Sequence, residues 1–236
     1  MAMHEGHRDR LKSRFRKEGL GGFEELYVLE LLLFYCIPRR DTNPIAHNLL
    51  EKFGTLNRVL SASPEELKSV EGVSDSVVTY FQFLLQLERY RQVRKDEENI
   101  KIITCQNNAF ARLGGVFINQ RNENVFVMCL DSKGKILGVF QVNEGNVSSS
   151  SINARRIIEI CLNANATYVI LAHNHPGGFA VASYQDRYAT TQLANTMETV
   201  ELFLLDHIVF ADGDATSMAT SGLYKPTHHA PFYDYH

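Results

Sequence analysis

The sequence predicts an α+β protein in which a mixed β-sheet flanked by helices is preceded by a small all-α domain. Three observations carry this reading. From Gly22 to Arg94 apolar side chains recur at helical spacing between proline and glycine stops. Arg89 to Asn99 is charged and almost without apolar residues beyond Val93. After it the pattern runs helix, strand, strand, helix, strand, helix, strand, strand, an order that suits a mixed sheet with helices packed on its faces. The expected organisation is a helical domain at residues 1–95, a linker at 96–100, a sheet domain at 101–227 and a tail at 228–236.

The helical part opens on Arg8, Arg10, Lys12, Arg14, Arg16 and Lys17, read either as a phosphate-contacting arm or as the solvated face of a helix docked through Leu11 and Phe15. Phe23 to Cys36 is a strongly apolar core helix, ended by Pro38-Arg39-Arg40-Asp41. Asn43-Pro44 starts the next helix, Ile45 to Phe53 continues it and Gly54 stops it. Ser63-Pro64-Glu65-Glu66 has capping-box form. Val70-Glu71-Gly72-Val73-Ser74 then leads into a helix carrying Val77, Val78, Phe81, Leu84 and Leu85. Helix, glycine hairpin, helix resembles a helix-hairpin-helix unit, whose hairpin amides and second-helix N-terminus hold a DNA phosphate. Ser74 stands where such hairpins carry a second glycine, so a structural or protein-contacting bundle is the alternative.

In the sheet part, Asn107 to Ile118 reads as a helix, Asn124 to Leu130 as a strand, Asp131-Ser132-Lys133-Gly134 as a turn and Lys135 to Val142 as the returning strand. Ser151 caps a helix reaching about Asn163, and Thr167 to Ala172 is apolar throughout, as a buried strand requires. Ser183 to Met197 follows as helix, Val200 to Phe210 as strand and Thr216 to Thr220 as a short last strand. The aromatic tail from His228 carries no periodic signal.

Composition narrows the function classes. No stretch approaches the roughly 20 apolar residues of a membrane span, and Met1 to Glu18 is charged rather than signal-like, so no membrane and a cytoplasmic location are expected. Lys and Arg number 15 against 16 acidic residues through position 100, and 9 against 11 beyond it, which is unlike a module that grips phosphate backbones by bulk charge. Cys36, Cys105, Cys129 and Cys161 lie far apart without a Cys-x-x-Cys pair and read as buried thiols.

The chemistry concentrates in His173-Asn174-His175-Pro176-Gly177-Gly178, with Ser183 and Asp186 downstream. Two imidazoles two residues apart at a strand end point to one side of the backbone, a geometry that suits a single metal ion. Pro176-Gly177-Gly178 stops the strand, and Asp186 can return as a third ligand, leaving a fourth position for water. The competing assignments are modest ones. Ser183 and Asp186 have N-cap and first-turn spacing, and His207 beside Asp206 in an apolar strand reads as a satisfied core histidine or one that supports a ligand. Asn174, between the two histidines, points away from the metal and ties down the loop.

This spacing resembles the JAMM metalloprotease signature, and the chain resembles the bacterial RadC family over nearly its full length. Asp131-Ser132-Lys133-Gly134, Ala154-Arg155-Arg156-Ile157-Ile158 and Leu205-Asp206-His207-Ile208-Val209 extend the match; Gly177 and Ala182 depart from the family's usual Ser/Thr and Pro. The resemblance implies an MPN-type domain, zinc held by His173, His175 and Asp186, Ser183 near the bound water and Glu123 as general base. Glu144 emerges at the same end of the predicted hairpin as Glu123, and topology alone leaves both open; the resemblance favours Glu123. The implied activity is hydrolysis of a peptide or isopeptide bond in a peptide or protein substrate. The alternative is a DNA-associated repair or recombination factor, with the zinc domain structural or regulatory and DNA met by the N-terminal domain. A metal-dependent nuclease fits poorly, since one ligand carboxylate is too few for paired metals.

Overall fold

The computed structural model describes residues 3–142 and 153–235, which form two compact units, Met1–Glu88 and Arg89–His236. The first unit is helical, with α1 (Met3–Glu18), α2 (Glu25–Cys36), α3 (Asn43–Phe53), α4 (Leu56–Leu60), α5 (Pro64–Lys68) and the first part of α6 (Asp75–Asn99). Its core is Leu29 and Leu33 of α2, Leu49 of α3, Leu67 of α5, and Val77 and Phe81 of α6, all fully buried. Ser63 and Glu66 close the capping box in both directions at α5. The cap of α3 is Thr42, with Pro44 inside the first turn, one residue earlier than the sequence suggested. Gly72 turns the chain at φ 88°, and a Cβ there would lie 2.8 Å from Ile45, so both backbone and packing demand glycine.

Within α1, Leu11 is buried whereas Phe15 is exposed. Arg8 donates to the carbonyls of Ile37, Pro38 and Arg40 and lies 4.7 Å over the Phe34 ring, while Arg14 donates to Gly22 and covers Phe23. Arg8 and Arg14 thus serve to dock the helix. Residues 96–99, expected as linker, are the last turn of α6: Lys95-Asp96-Glu97-Glu98 lacks apolar side chains, yet Lys and Glu are good helix formers.

The second unit is built on a five-stranded sheet in the order β2-β1-β3-β4-β5, with β1 (Val125–Leu130), β2 (Ile136–Gln141), β3 (Tyr168–Asn174), β4 (Phe203–Ala211) and β5 (Asp214–Ser217). Among the five described strands β3 and β4 are the pair that runs parallel, so the sheet is mixed as predicted. Helices α8 (Ala154–Asn163) and α9 (Tyr184–Glu198) pack on one face against Val127, Cys129, Val169 and Leu171. Helix α7 (Gln106–Phe117) covers the other face with the C-terminal tail, through Leu113, Met128, Ile170 and Tyr233. The tail therefore docks. Every residue of β3 is buried, which explains its unbroken apolar run.

One irregularity positions the site. Val169 pairs with Leu204 and Ile170 with Asp206, so Leu205 is an extra residue in β4. The bulge puts Leu205 and Asp206 together on the α7 and tail side and turns His207 to the α9 side. Ser151 and the loop 143–150 lie outside the described residues; the helix expected from Ser151 starts at Ala154, with the Asn153 side chain accepting from the Arg156 amide.

Candidate metal centre

His173 is the last residue but one of β3, on its α9 side, paired with Val125 of β1 and Val209 of β4. Its side chain is 3% exposed. His175 follows on the same side, held by its amide donating to the Phe210 carbonyl, and the turn after it brings the Phe179 carbonyl to 3.1 Å from His175 Nδ1. A carbonyl only accepts, so Nδ1 carries the proton and Nε2 is left to face His173 Nε2 at 2.9 Å. Asp186, buried in the first turn of α9, reaches this point from the next element: Oδ1 is 3.6 Å from His173 Nε2 and Oδ2 is 3.8 Å from His175 Nε2.

Glu123 arrives from the segment before β1, and its ligand atom and those of His173 and His175 all lie within 4.8 Å of one another. Burial pushes its carboxyl pKa up, opposed by His175 and reinforced by Asp186. Asn174 fixes that segment from the other side of β3. Its Oδ1 accepts from the Asn124 amide at 2.8 Å and its Nδ2 donates to the Asn122 carbonyl at 3.2 Å, so both neighbours of Glu123 are tied down. Gln141 of β2 adds a bond to the Asn124 side chain.

Ser183 is the N-cap of α9. Its hydroxyl and its amide both donate to Asp186 Oδ2 at 2.7 Å, while its Oγ accepts from the Asp186 amide at 3.1 Å. The serine thus aims the carboxylate and caps the helix at once. His173 is desolvated enough that burial holds its pKa down to about 4, with Asp186 opposing and His175 adding to the effect; it is neutral at ordinary pH. His207, wholly buried on β4, is likewise held well below the usual histidine range by burial and by the neighbouring imidazoles. Its Nε2 lies 2.8 Å from His173 Nδ1 and 4.8 Å separates the ring centres.

The structure brings together His173, His175, Asp186, Glu123 and Ser183; Glu144 lies outside the described residues. His173, His175 and Glu123 form a cluster that could hold a metal ion, and Asp186 lies 3.6 and 3.8 Å from the two imidazoles; imidazole nitrogens with carboxylate oxygens are a donor set that fits a divalent cation. Thr190, which contacts His207, carried no motif signal at all: it becomes visible only when α9 is laid on the sheet.

A mixed sheet with a His-x-His pair at the end of its central strand and carboxylates from the adjoining segment and helix defines a JAB-type domain with a candidate metal site. The model of the family described as RadC-like JAB domain matches residues 103–223, and the chain belongs to the RadC family. It is 32% identical over 228 residues to UPF0758 protein FN0909 of Fusobacterium nucleatum, covering 93% of this chain and 97% of that protein. It is 31% identical over 216 residues to UPF0758 protein SPO0054 of Ruegeria pomeroyi, covering 92% and 96% respectively. No described helix is long and apolar enough to cross a membrane.

Proposed function

We propose that the protein is a zinc-dependent hydrolase that cleaves a peptide or isopeptide bond. The observation that carries the reading is the cluster of His173, His175 and Glu123 with Asp186 beside the two imidazoles, the carboxylates being of unlike setting: Asp186 is pinned by Ser183, whereas Glu123 is half-buried with a raised pKa. His173, His175 and Asp186 would hold the ion. When bound, zinc polarises a carbonyl and brings the pKa of water to about 7. Glu123, its pKa raised by burial, takes a proton from the attacking water and hands it to the leaving nitrogen. Asn174 keeps Glu123 in place through the amide of Asn124 and the carbonyl of Asn122. Ser183 supplies an oxyanion donor if its hydroxyl turns from Asp186 Oδ2.

The rival assignment makes Glu123 the third ligand and Asp186 a cap partner. Metal analysis with a peptide-library cleavage assay separates them. Glu123→Gln retains about one zinc per chain and loses about 10²- to 10⁴-fold in turnover, while Asp186→Asn loses the zinc. The opposite pattern sinks the role assignment, a zinc-loaded protein that cleaves no peptide or isopeptide sinks the hydrolase reading, and a Glu144→Gln variant that behaves as expected for Glu123→Gln transfers the base.

A further inference from the structure

Behind the candidate ligands a chain of short contacts runs from one to another. Thr190, one turn along α9 from Asp186, has its Oγ1 2.5 Å from the Asp186 carbonyl oxygen and 2.6 Å from His207 Nδ1. His207 Nε2 then lies 2.8 Å from His173 Nδ1. All four groups are buried, and Met218 Sδ at 3.9 Å from Thr190 Oγ1 completes the wall.

The direction of each bond follows from which end cannot donate. The Asp186 carbonyl has only lone pairs, so the Thr190 hydroxyl must give its proton there; turned toward His207, it would leave two oxygens in contact at 2.5 Å with no proton between them. Its hydroxyl oxygen is then free to accept, and His207 Nδ1 must carry a proton to meet it. With Nδ1 protonated, a neutral His207 presents a lone pair at Nε2, and that lone pair takes the proton of His173 Nδ1. His173 Nε2 is thereby stripped of hydrogen, although it lies 2.9 Å from His175 Nε2, where an N–H would otherwise make an ordinary imidazole-to-imidazole bond.

We propose that Thr190 and His207 are positioning residues that set His173 in its Nε2-ligand tautomer and, through Thr190, couple it to the helix turn that carries Asp186. The two candidate ligands from β3 and α9 are thus oriented by one proton-ordered relay rather than independently, and His207 is a support and not a third histidine ligand. A metal-binding histidine usually gives its second N–H to a carboxylate or a carbonyl. Here an imidazole receives it, and the threonine is what makes that imidazole an acceptor.

This inference rests on the metal-site reading above, and its test has an arm that does not. Long-range proton–nitrogen NMR of the metal-free wild-type protein with labelled histidine reads the tautomers directly, and both His173 and His207 are expected as Nδ1–H. A His173 Nε2–H form overturns the relay whatever the protein binds. The second arm uses zinc itself, titrated against a chelating chromophore. Thr190→Val, which keeps the shape and loses the acceptor, is expected to weaken zinc about 10- to 100-fold, and Thr190→Ser to recover affinity to within about threefold of wild type. Unchanged zinc affinity in a folded Thr190→Val also overturns the proposal. Absence of zinc binding in the wild type together with the expected tautomers counts against the metal reading and leaves the relay standing.

Discussion

Two buried polar clusters lie back to back on β4, carried by consecutive residues. Asp206 faces the tail side, where its Oδ1 accepts from the amides of His207 at 2.7 Å and Ala219 at 3.0 Å, and its Oδ2 accepts from Ser217 Oγ at 2.5 Å and Tyr233 Oη at 3.4 Å. Each oxygen meets donors, and the cluster ties β4 to β5, the turn after it and the tail. His207 faces the α9 side, where the same kind of chain ends differently: it leads to His173, whose ring clusters within 4.8 Å with His175 and Glu123, while Asp186 Oδ1 lies 3.6 Å from His173 Nε2. Burial of polar groups is common to both. What separates a structural cluster from a candidate metal centre is whether every acceptor meets a donor or some, here the two imidazole Nε2 atoms, are left facing each other.

The largest effect that would break this contrast comes from the open side. His175→Ala removes one of the converging lone pairs on a side chain that is 25% exposed, so the metal-free protein is expected to unfold within about 1 kcal/mol of wild type while bound zinc disappears from metal analysis. Full zinc retention by that variant would show that the convergence is incidental.

The closed side predicts a pH effect. Burial raises Asp206 from 3.8 to about 6, opposed by its bonds to Ser217, Ala219, His207 and Tyr233. Because the folded value lies above the unfolded one, the fold favours the neutral acid: the stability this contributes is complete below pH 3.8 and is lost as pH rises through about 6. Between those limits wild type is expected to lose about 3 kcal/mol relative to Asp206→Asn, which does not titrate. Urea unfolding at a series of pH values reads the difference, and parallel curves for the two proteins would mean that Asp206 is already ionised at low pH by its donors.

The same comparison explains what the sequence could and could not reveal. His173, Asn174 and His175 were legible because period-two alternation from a fully apolar strand assigns their sides without further information. Asp186 was legible because the turn residues and the cap at Ser183 fix where α9 begins. His207 was ambiguous for a definite reason. Counting by twos from Leu204 puts it on the tail side, counting back from Val209 puts it on the α9 side, and the bulge at Leu205 that resolves the conflict has no residue signature. Thr190 and the docked tail depend on contacts with elements distant in sequence, and neither has a local pattern. Glu123 was reached through the family resemblance, since a lone glutamate ahead of a strand says nothing of the two asparagine bonds that hold its segment.

Ser183 sits on the border between the two kinds of cluster, and the smallest predicted effect is the one that assigns it. As N-cap of α9 its hydroxyl satisfies the Asp186 amide, so Ser183→Ala is expected to cost about 1 kcal/mol, while Ser183→Gly, which suits the cap backbone, costs a few tenths. Neither variant retains a hydroxyl. If the serine is a cap that aims Asp186, stability and zinc affinity should fall in the order wild type, Gly, Ala, and turnover of a cleavable substrate should follow zinc occupancy. If the hydroxyl also serves the oxyanion, the two variants should lose turnover equally at full zinc occupancy despite their different stabilities. Turnover compared at matched zinc loading therefore decides whether Ser183 belongs to the balanced scaffold or to the open site.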